Sequence, residues 1–139
     1  MQHSLSEENY LKSIFKLLET GRDKVSTNDL GRLLNTKAPS VTDMLKKLHK
    51  KGLIEYTPYY GVSFTEKGLE KAREIVRKHR LWETFMVEVL KMPCETVHEV
   101  AEQLEHVHSK ELIDAIDAFL NYPDTDPHGR EIPAKTEIQ

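Results

Sequence analysis

The sequence predicts a mainly helical chain: an N-terminal winged helix-turn-helix with a small β-hairpin wing, then a C-terminal helical part. Three observations predict it. Apolar residues recur at helical spacing through most of residues 6–120. Two short helical stretches, separated by Asn35-Thr36-Lys37-Ala38, precede a candidate hairpin that turns at Pro58-Tyr59-Tyr60-Gly61. The charge is unevenly spread: residues 1–80 hold sixteen Lys and Arg against ten Asp and Glu, and residues 81–139 hold four against thirteen. A basic front suits a polyanion and an acidic back suits cations. The alternative is that both are merely solvated faces.

Taken in order, Ser6 is the expected N-cap of a first helix over 6–20, with Leu11, Ile14, Phe15 and Leu17 as its apolar stripe. Ser26 or Thr27 caps a second helix carrying Leu30, Leu33 and Leu34. Pro39 suits the first turn of a third helix that ends before Gly52, with Val41, Met44, Leu45 and Leu48 facing inward. Strands are expected at Leu53–Tyr56 and Val62–Phe64. Thr65 caps a long helix reaching about Leu90, which Met92-Pro93 breaks. A helix over 94–107 and another from Ser109 to Leu120 follow. Residues 123–139, rich in Pro, Asp, Thr and Gly, are expected to be irregular.

The expected domains are 1–70, a DNA-binding winged helix, and 71–122, a helical dimerisation and metal-binding domain, with a helix from about residue 65 linking them. The second is too small to bury much core alone, so its last apolar face predicts a homodimer. No apolar run is long enough to span a membrane, and the single Cys94 excludes an internal disulfide. The expected location is the cytoplasm.

The third helix should enter the major groove. Ser40, Thr42 and Asp43 can reach base edges, Lys37, Lys47 and Lys50 neutralise phosphates, and Thr36 and Pro39 are further DNA-binding candidates. On the helix over 94–107, His98, Glu102, Glu105 and His106 fall on one face at i, i+4, i+7 and i+8. Glu102, Glu105 and His106 can converge on one ion. His79 and Glu83, also one turn apart, can join His98 in a second cluster. The stretch approaches zinc-protease signatures but has Glu102 where each needs a histidine. A metalloenzyme is therefore a weaker reading, as is a winged-helix regulator that answers to a non-metal ligand or partner.

With these residues in view, the chain resembles the family of metal-dependent transcriptional repressors typified by the diphtheria toxin repressor and the manganese transport regulator. The resemblance is carried by Val76-Arg77-Lys78-His79-Arg80-Leu81, Val97-His98-Glu99 and Glu102-Gln103-Leu104-Glu105-His106-Val107. Ala38-Pro39-Ser40-Val41-Thr42 and Asp126-Pro127-His128-Gly129 add to it. It implies a homodimer that binds palindromic operator DNA, with Mn²⁺ or Fe²⁺ at two sites per chain. It also implies no membrane partner and no organic substrate. Glu102, Glu105 and His106 match the primary site, and Glu102 stands where the iron-sensing branch has Cys. His79, Glu83 and His98 match the second site. Asn9 stands where the family has a stronger ligand, and Lys12 where the manganese branch has Glu. Asp126 and His128 match a loop that donates ligands in some manganese-type members. The resemblance implies that metal joins the first helix to the acidic C-terminal helices. Longer members continue past this tail into an SH3-like third domain.

Overall fold

Ser4, not Ser6, starts the first helix. In the computed structural model, which describes residues 3–135, the Ser4 hydroxyl accepts the Glu7 amide at 3.1 Å. The Glu7 carboxylate accepts the Ser4 amide at 2.8 Å in return. This reciprocal box satisfies two amides that a helix end otherwise leaves bare, and it sets the start of α1 (Leu5–Leu18). The other elements are α2 (Thr27–Leu34), α3 (Ala38–Lys50), β1 (Ile54–Thr57), β2 (Gly61–Phe64), α4 (Glu66–Glu88), α5 (Val97–Leu104) and α6 (Lys110–Phe119). The chain divides into two compact units, one through Ala72 and one from Arg73.

In the first unit, Ser26 caps α2 by accepting the Asp29 amide at 3.0 Å. Asn35 ends it in the left-handed region, at φ 51°. Val41, Leu45 and Leu48 of α3 are fully buried, as helical spacing requires. The hairpin pairs Ile54 with Phe64, Glu55 with Ser63 and Tyr56 with Val62 in antiparallel register. Leu53 stays outside the strand because its amide bonds back to the Leu48 carbonyl at 3.1 Å. Val25 and Val62 exchange two backbone hydrogen bonds of 2.9 Å, tying the segment before α2 to the wing.

Two local constraints hold this unit. Thr65 donates to the Gly52 carbonyl at 2.7 Å and accepts the Gly68 amide at 3.1 Å, so it both caps α4 and anchors it under β1. A Cβ on Gly68 would sit 1.7 Å from the Leu53 carbonyl oxygen, a contact only glycine avoids. The second constraint is Glu7, which is 2% exposed. Lys51, at the end of α3, places Nζ 2.6 Å from its Oε2, and Lys47 Nζ is 4.0 Å away. Burial works to raise the Glu7 carboxyl, but Lys51 and Ser4 outweigh it and hold the pKa at about 2.

In the second unit, Leu81 of α4, Ile113 and Ile116 of α6 and Ile132 form one apolar cluster. Met86, Val97 and Ala101 form another, and Trp82 packs against both. Arg77 reaches Asp114 at 3.2 Å and Asp117 at 2.9 Å, linking α4 to α6. Helix α5 is shorter than the expected 94–107. Residues 93–96 close a turn first, with the Thr96 amide and hydroxyl both bonding to the Pro93 carbonyl. At the other end Glu105 is the cap residue. Residues 121–135 form no helix or named strand, yet Ile132 is buried in the first cluster. Leu112 and Phe119 of α6 remain exposed, at 41% and 69%.

Gly68→Ala is expected to lower stability by about 1–3 kcal/mol, since backbone rather than a flexible side chain blocks the new methyl. Urea unfolding measures it, and an unchanged midpoint would show that the backbone yields freely there. The Glu7 pKa is depressed in the fold, so its stabilisation is full above the unfolded value near 4.5 and is lost as pH falls toward 2. Glu7→Gln should cost roughly 1–3 kcal/mol at neutral pH and flatten the acid limb of the stability curve between about pH 5 and 2. A parallel acid limb in the variant would exclude Glu7 as its source.

Candidate metal centre

Three parts of the second unit converge on one carboxylate. Helix α4 runs unbroken through His79 and Glu83, one turn apart, so both project to the same side. Helix α5 brings His98. The turn after α6 brings Asp126 and His128. Glu83 is fully buried. Its Oε2 lies 3.1 Å from His79 Nε2 and 3.3 Å from His98 Nδ1, and its Oε1 lies 3.5 Å from His128 Nδ1. Burial works to raise its carboxyl, but His79 first, then His128 and His98, hold the pKa down at about 2.

The ring of His79 is oriented from behind. Its Nδ1 is 2.5 Å from Glu105 Oε1, and both residues are buried. A ring that donates through Nδ1–H presents a lone pair at Nε2. That Nε2 is close to Glu83 but makes no aligned hydrogen bond. Burial would depress the His79 pKa, but Glu105 and Glu83 outweigh it and raise it. A carboxylate behind a histidine that presents its other nitrogen to further ligand-type residues is the usual support of a metal-bound imidazole.

Asp126 is built the same way. Its Oδ1 accepts the amides of His128 and Arg130, each at 2.9 Å, which shapes the turn. Its Oδ2 is buried and makes no hydrogen bond, as is also true of Glu83 Oε1. Buried carboxylate oxygens without donors are costly and call for a cation. Among the described residues, ligand atoms gather within 4.8 Å in two groups, His79–Glu83–His98 and Glu83–Asp126–His128. Three imidazoles and two carboxylates fit a divalent transition metal.

The other expected ligands are placed differently. His98 and Glu102 lie one turn apart on α5, Glu105 follows as its C-cap residue, and His106 lies beyond it. Glu102 is on the exposed side, with Oε1 3.0 Å from His98 Nε2. Glu105 turns inward to His79, and His106 Nε2 is 3.4 Å from Glu105 Oε2. Glu102, Glu105 and His106 are not among the gathered groups. Asn9 lies half-buried on α1 in the first unit. Sequence reasoning missed Cys94, whose Sγ lies 3.2 Å from His128 Nε2. No local spacing could have shown a contact across 34 positions. It also missed that three imidazoles face Glu83, although the His79–Glu83 spacing was the available signal.

In the first unit the expected DNA face is open. Lys37, Pro39, Ser40, Asp43, Lys47 and Lys50 are exposed, and Thr36 and Thr42 are half-buried. Beside them a groove of about 800 Å³ is lined by Arg22, Lys24, Thr42, Lys46, Tyr59 and Tyr60, among others. Tyr59 stands fully exposed at the wing tip with φ 71°.

A recognition helix beside a wing, together with a histidine–carboxylate cluster, defines a DNA-binding protein with a divalent-metal domain. Residues 4–62 match the iron-dependent repressor N-terminal DNA-binding domain, and residues 65–134 match the iron-dependent repressor metal-binding and dimerisation domain. The chain belongs to the iron-dependent repressor family. It is 39% identical over 117 residues to an uncharacterised HTH-type transcriptional regulator of Methanocaldococcus jannaschii, covering 84% of this chain and 94% of that one. It is 33% identical over 131 residues to the iron-dependent repressor of Mycobacterium tuberculosis, covering 94% and 56%. A manganese-dependent transcriptional repressor in complex with manganese superposes with a TM-score of 0.84 at 39% identity, covering 92% and 58%. The chain therefore spans little more than half the length of the last two proteins.

Asp126→Ala should release the turn, raising amide hydrogen exchange at His128 and Arg130 by tenfold or more, whereas Asp126→Asn should retain most protection. Equal protection in the alanine variant would mean that Asp126 does not shape the turn.

Proposed function

We propose that this chain is a metal-responsive transcriptional repressor, active in the cytoplasm as a homodimer on palindromic operator DNA, with Mn²⁺ or Fe²⁺ as its signal. Its targets on this reading are metal-homeostasis genes. The observation that carries it is the buried Glu83 carboxylate, faced by His79, His98 and His128, in the part of the chain that matches a metal-binding domain. His79, Glu83, His98, Asp126 and His128 would hold metal, and Glu102, Glu105 and His106 remain candidates for a further site. A bound ion would supply positive charge beside the buried Glu83 and Asp126 carboxylates.

The residues explain how such a signal is set. The His79 proton and a metal compete for the same space, so apparent metal affinity falls as pH drops through the raised His79 value. Imidazole and carboxylate donors without a thiolate favour Mn²⁺ or Fe²⁺ over strongly thiophilic ions. Metal shifts the population toward a DNA-competent dimer to the extent that it binds that state better. The exposed Leu112 and Phe119 of α6 supply apolar surface for a partner copy. Ser40, Thr42 and Asp43 read bases, and Lys37, Lys47 and Lys50 contact phosphates. The chain is, on this reading, a regulator and not an enzyme.

The test is DNA binding by anisotropy, on a duplex the protein selects from a random pool in the presence of Mn²⁺. Chelator is expected to weaken binding several-fold to a hundredfold, matching a coupling of about 1–3 kcal/mol. Affinity that ignores both Mn²⁺ and Fe²⁺ would defeat the proposal. Lys37→Ala should make the slope of log K against log salt shallower by about 0.9, the share of one neutralised phosphate.

A further inference from the structure

We propose that the wing tip is a second sequence-reading element: Tyr59 enters the DNA minor groove and selects A·T pairs there, while one sugar–phosphate strand lies between Lys24 and Lys46. This rests on the DNA-binding reading above and deepens it. Tyr59 is fully exposed, and its backbone is left-handed, at φ 71°. The ring is buried against nothing, and glycine would hold the same turn without strain. Pro58 before it, and the Tyr60 amide on the Thr57 carbonyl at 3.0 Å, fix the tip. A large side chain kept in a costly conformation and aimed outward from a fixed turn points to a functional contact.

The groove of about 800 Å³ behind that tip suits a line of negative charge. Arg22, Lys24 and Lys46 line it, and Asp29 is the one carboxylate among the described residues that do. Asp29 is already shared by two arginines: its Oδ2 takes Arg22, and its Oδ1 is 3.0 Å from Arg32 Nη2. Lys24 and Lys46 are exposed. The backbone sets the place of Lys24. Val25 bonds to Val62 of β2, and Gly61 comes so close that a Cβ there would sit 3.3 Å from Lys24 Cβ. Thr42 and Lys46, one turn apart on α3, line the groove from the helix side. A lysine on each side of a groove fits a phosphodiester strand, which carries one negative charge per nucleotide. In duplex DNA such a strand separates the major groove from the minor groove. With α3 in the major groove, the hairpin tip therefore lies on the minor-groove side.

The chemistry of that groove says what a tyrosine would select. It is about 6 Å wide and narrower over A·T tracts, so it admits an aromatic ring edge-on. A·T pairs present only acceptors there, adenine N3 and thymine O2, whereas G·C adds the guanine amino group. The Tyr59 hydroxyl can donate to either acceptor. The guanine amino group stands where the ring would go. Tyr59 thus favours A·T at positions that α3 does not touch.

The experiment uses the full chain and the duplex selected in the presence of Mn²⁺. Each base pair is set in turn to A·T, G·C or inosine·C, and affinity is read by anisotropy. Inosine·C keeps the major-groove face of G·C but lacks its minor-groove amino group. Pairs read by α3 should therefore group inosine with guanine, and pairs read by Tyr59 should group inosine with adenine. At the latter, G·C is expected to weaken binding about fivefold or more. Tyr59→Gly should lose that discrimination and bind the parent duplex more weakly, while its melting temperature rises because glycine relieves the left-handed residue. Tyr59→Phe keeps the ring and should still reject guanine. Lys24→Ala and Lys46→Ala should each make the slope of log K against log salt shallower by about 0.9. If no position groups inosine with adenine, or if Tyr59→Gly still rejects G·C, the wing does not read the minor groove. Binding that still responds to Mn²⁺ would then leave the repressor reading intact. If the discrimination is present but binding ignores Mn²⁺ and Fe²⁺, the wing reading stands and the metal response falls. If no duplex is selected, both fall.

Discussion

A fully buried carboxylate is tolerable only in company, and Glu83 determines how the second unit is put together. An unpaired carboxylate at that depth would cost several kcal/mol, so the fold must deliver cationic or hydrogen-bonding partners to it. It delivers them from three places in the chain: His79 one turn back on α4, His98 from α5, and His128 from the turn that follows α6. Each delivery has its own support. Trp82, next to Glu83 in sequence, packs into both apolar clusters and so fixes the rotation of α4. Glu105 holds the His79 ring, and the two amides on Asp126 Oδ1 hold the turn. The apolar clusters are thus scaffolding for a charge.

Most of the fold was legible because its signals are local. Pro39, Asn35, Thr65 and Ser109 mark helix ends by chemistry that acts within four residues, and the stripes Val41–Leu45–Leu48 and Ile113–Ile116 follow helical spacing. The misplaced boundaries had local causes too. Ser4 outcompeted Ser6 because only Ser4 has a Glu three residues on. Helix α5 starts late because residues 93–96 close a turn first, and Glu105 is its C-cap residue. The site was less legible. Spacing identified His79 and His98 as candidates around Glu83, and the family resemblance added Asp126 and His128, yet a helical wheel drawn over 94–107 put Glu102 and Glu105 together. In the fold they face different surroundings: Glu102 is exposed beside His98, and Glu105 is buried against His79. The Cys94–His128 contact and the burial of Ile132 depend on tertiary packing and have no sequence signature.

The wing has a different logic. In the turn closed by the Tyr60 amide on the Thr57 carbonyl, Pro58 takes the position its ring favours. Tyr59 then occupies the next position at φ 71°, where glycine would be unstrained. A fully exposed aromatic ring in a left-handed backbone gains nothing from burial. The proposed DNA complex gives that ring something to touch.

Glu7 has a consequence for that same complex. By closing on Lys51 and approaching Lys47, it serves as an internal counterion at the C-terminal end of α3. Charge already neutralised by the protein holds fewer dissolved anions and draws fewer cations off the phosphates. The salt sensitivity of the complex should therefore reflect a smaller effective charge than the lysines of this segment suggest, and it should be read as a property of the Glu7 network as much as of the helix that enters the groove.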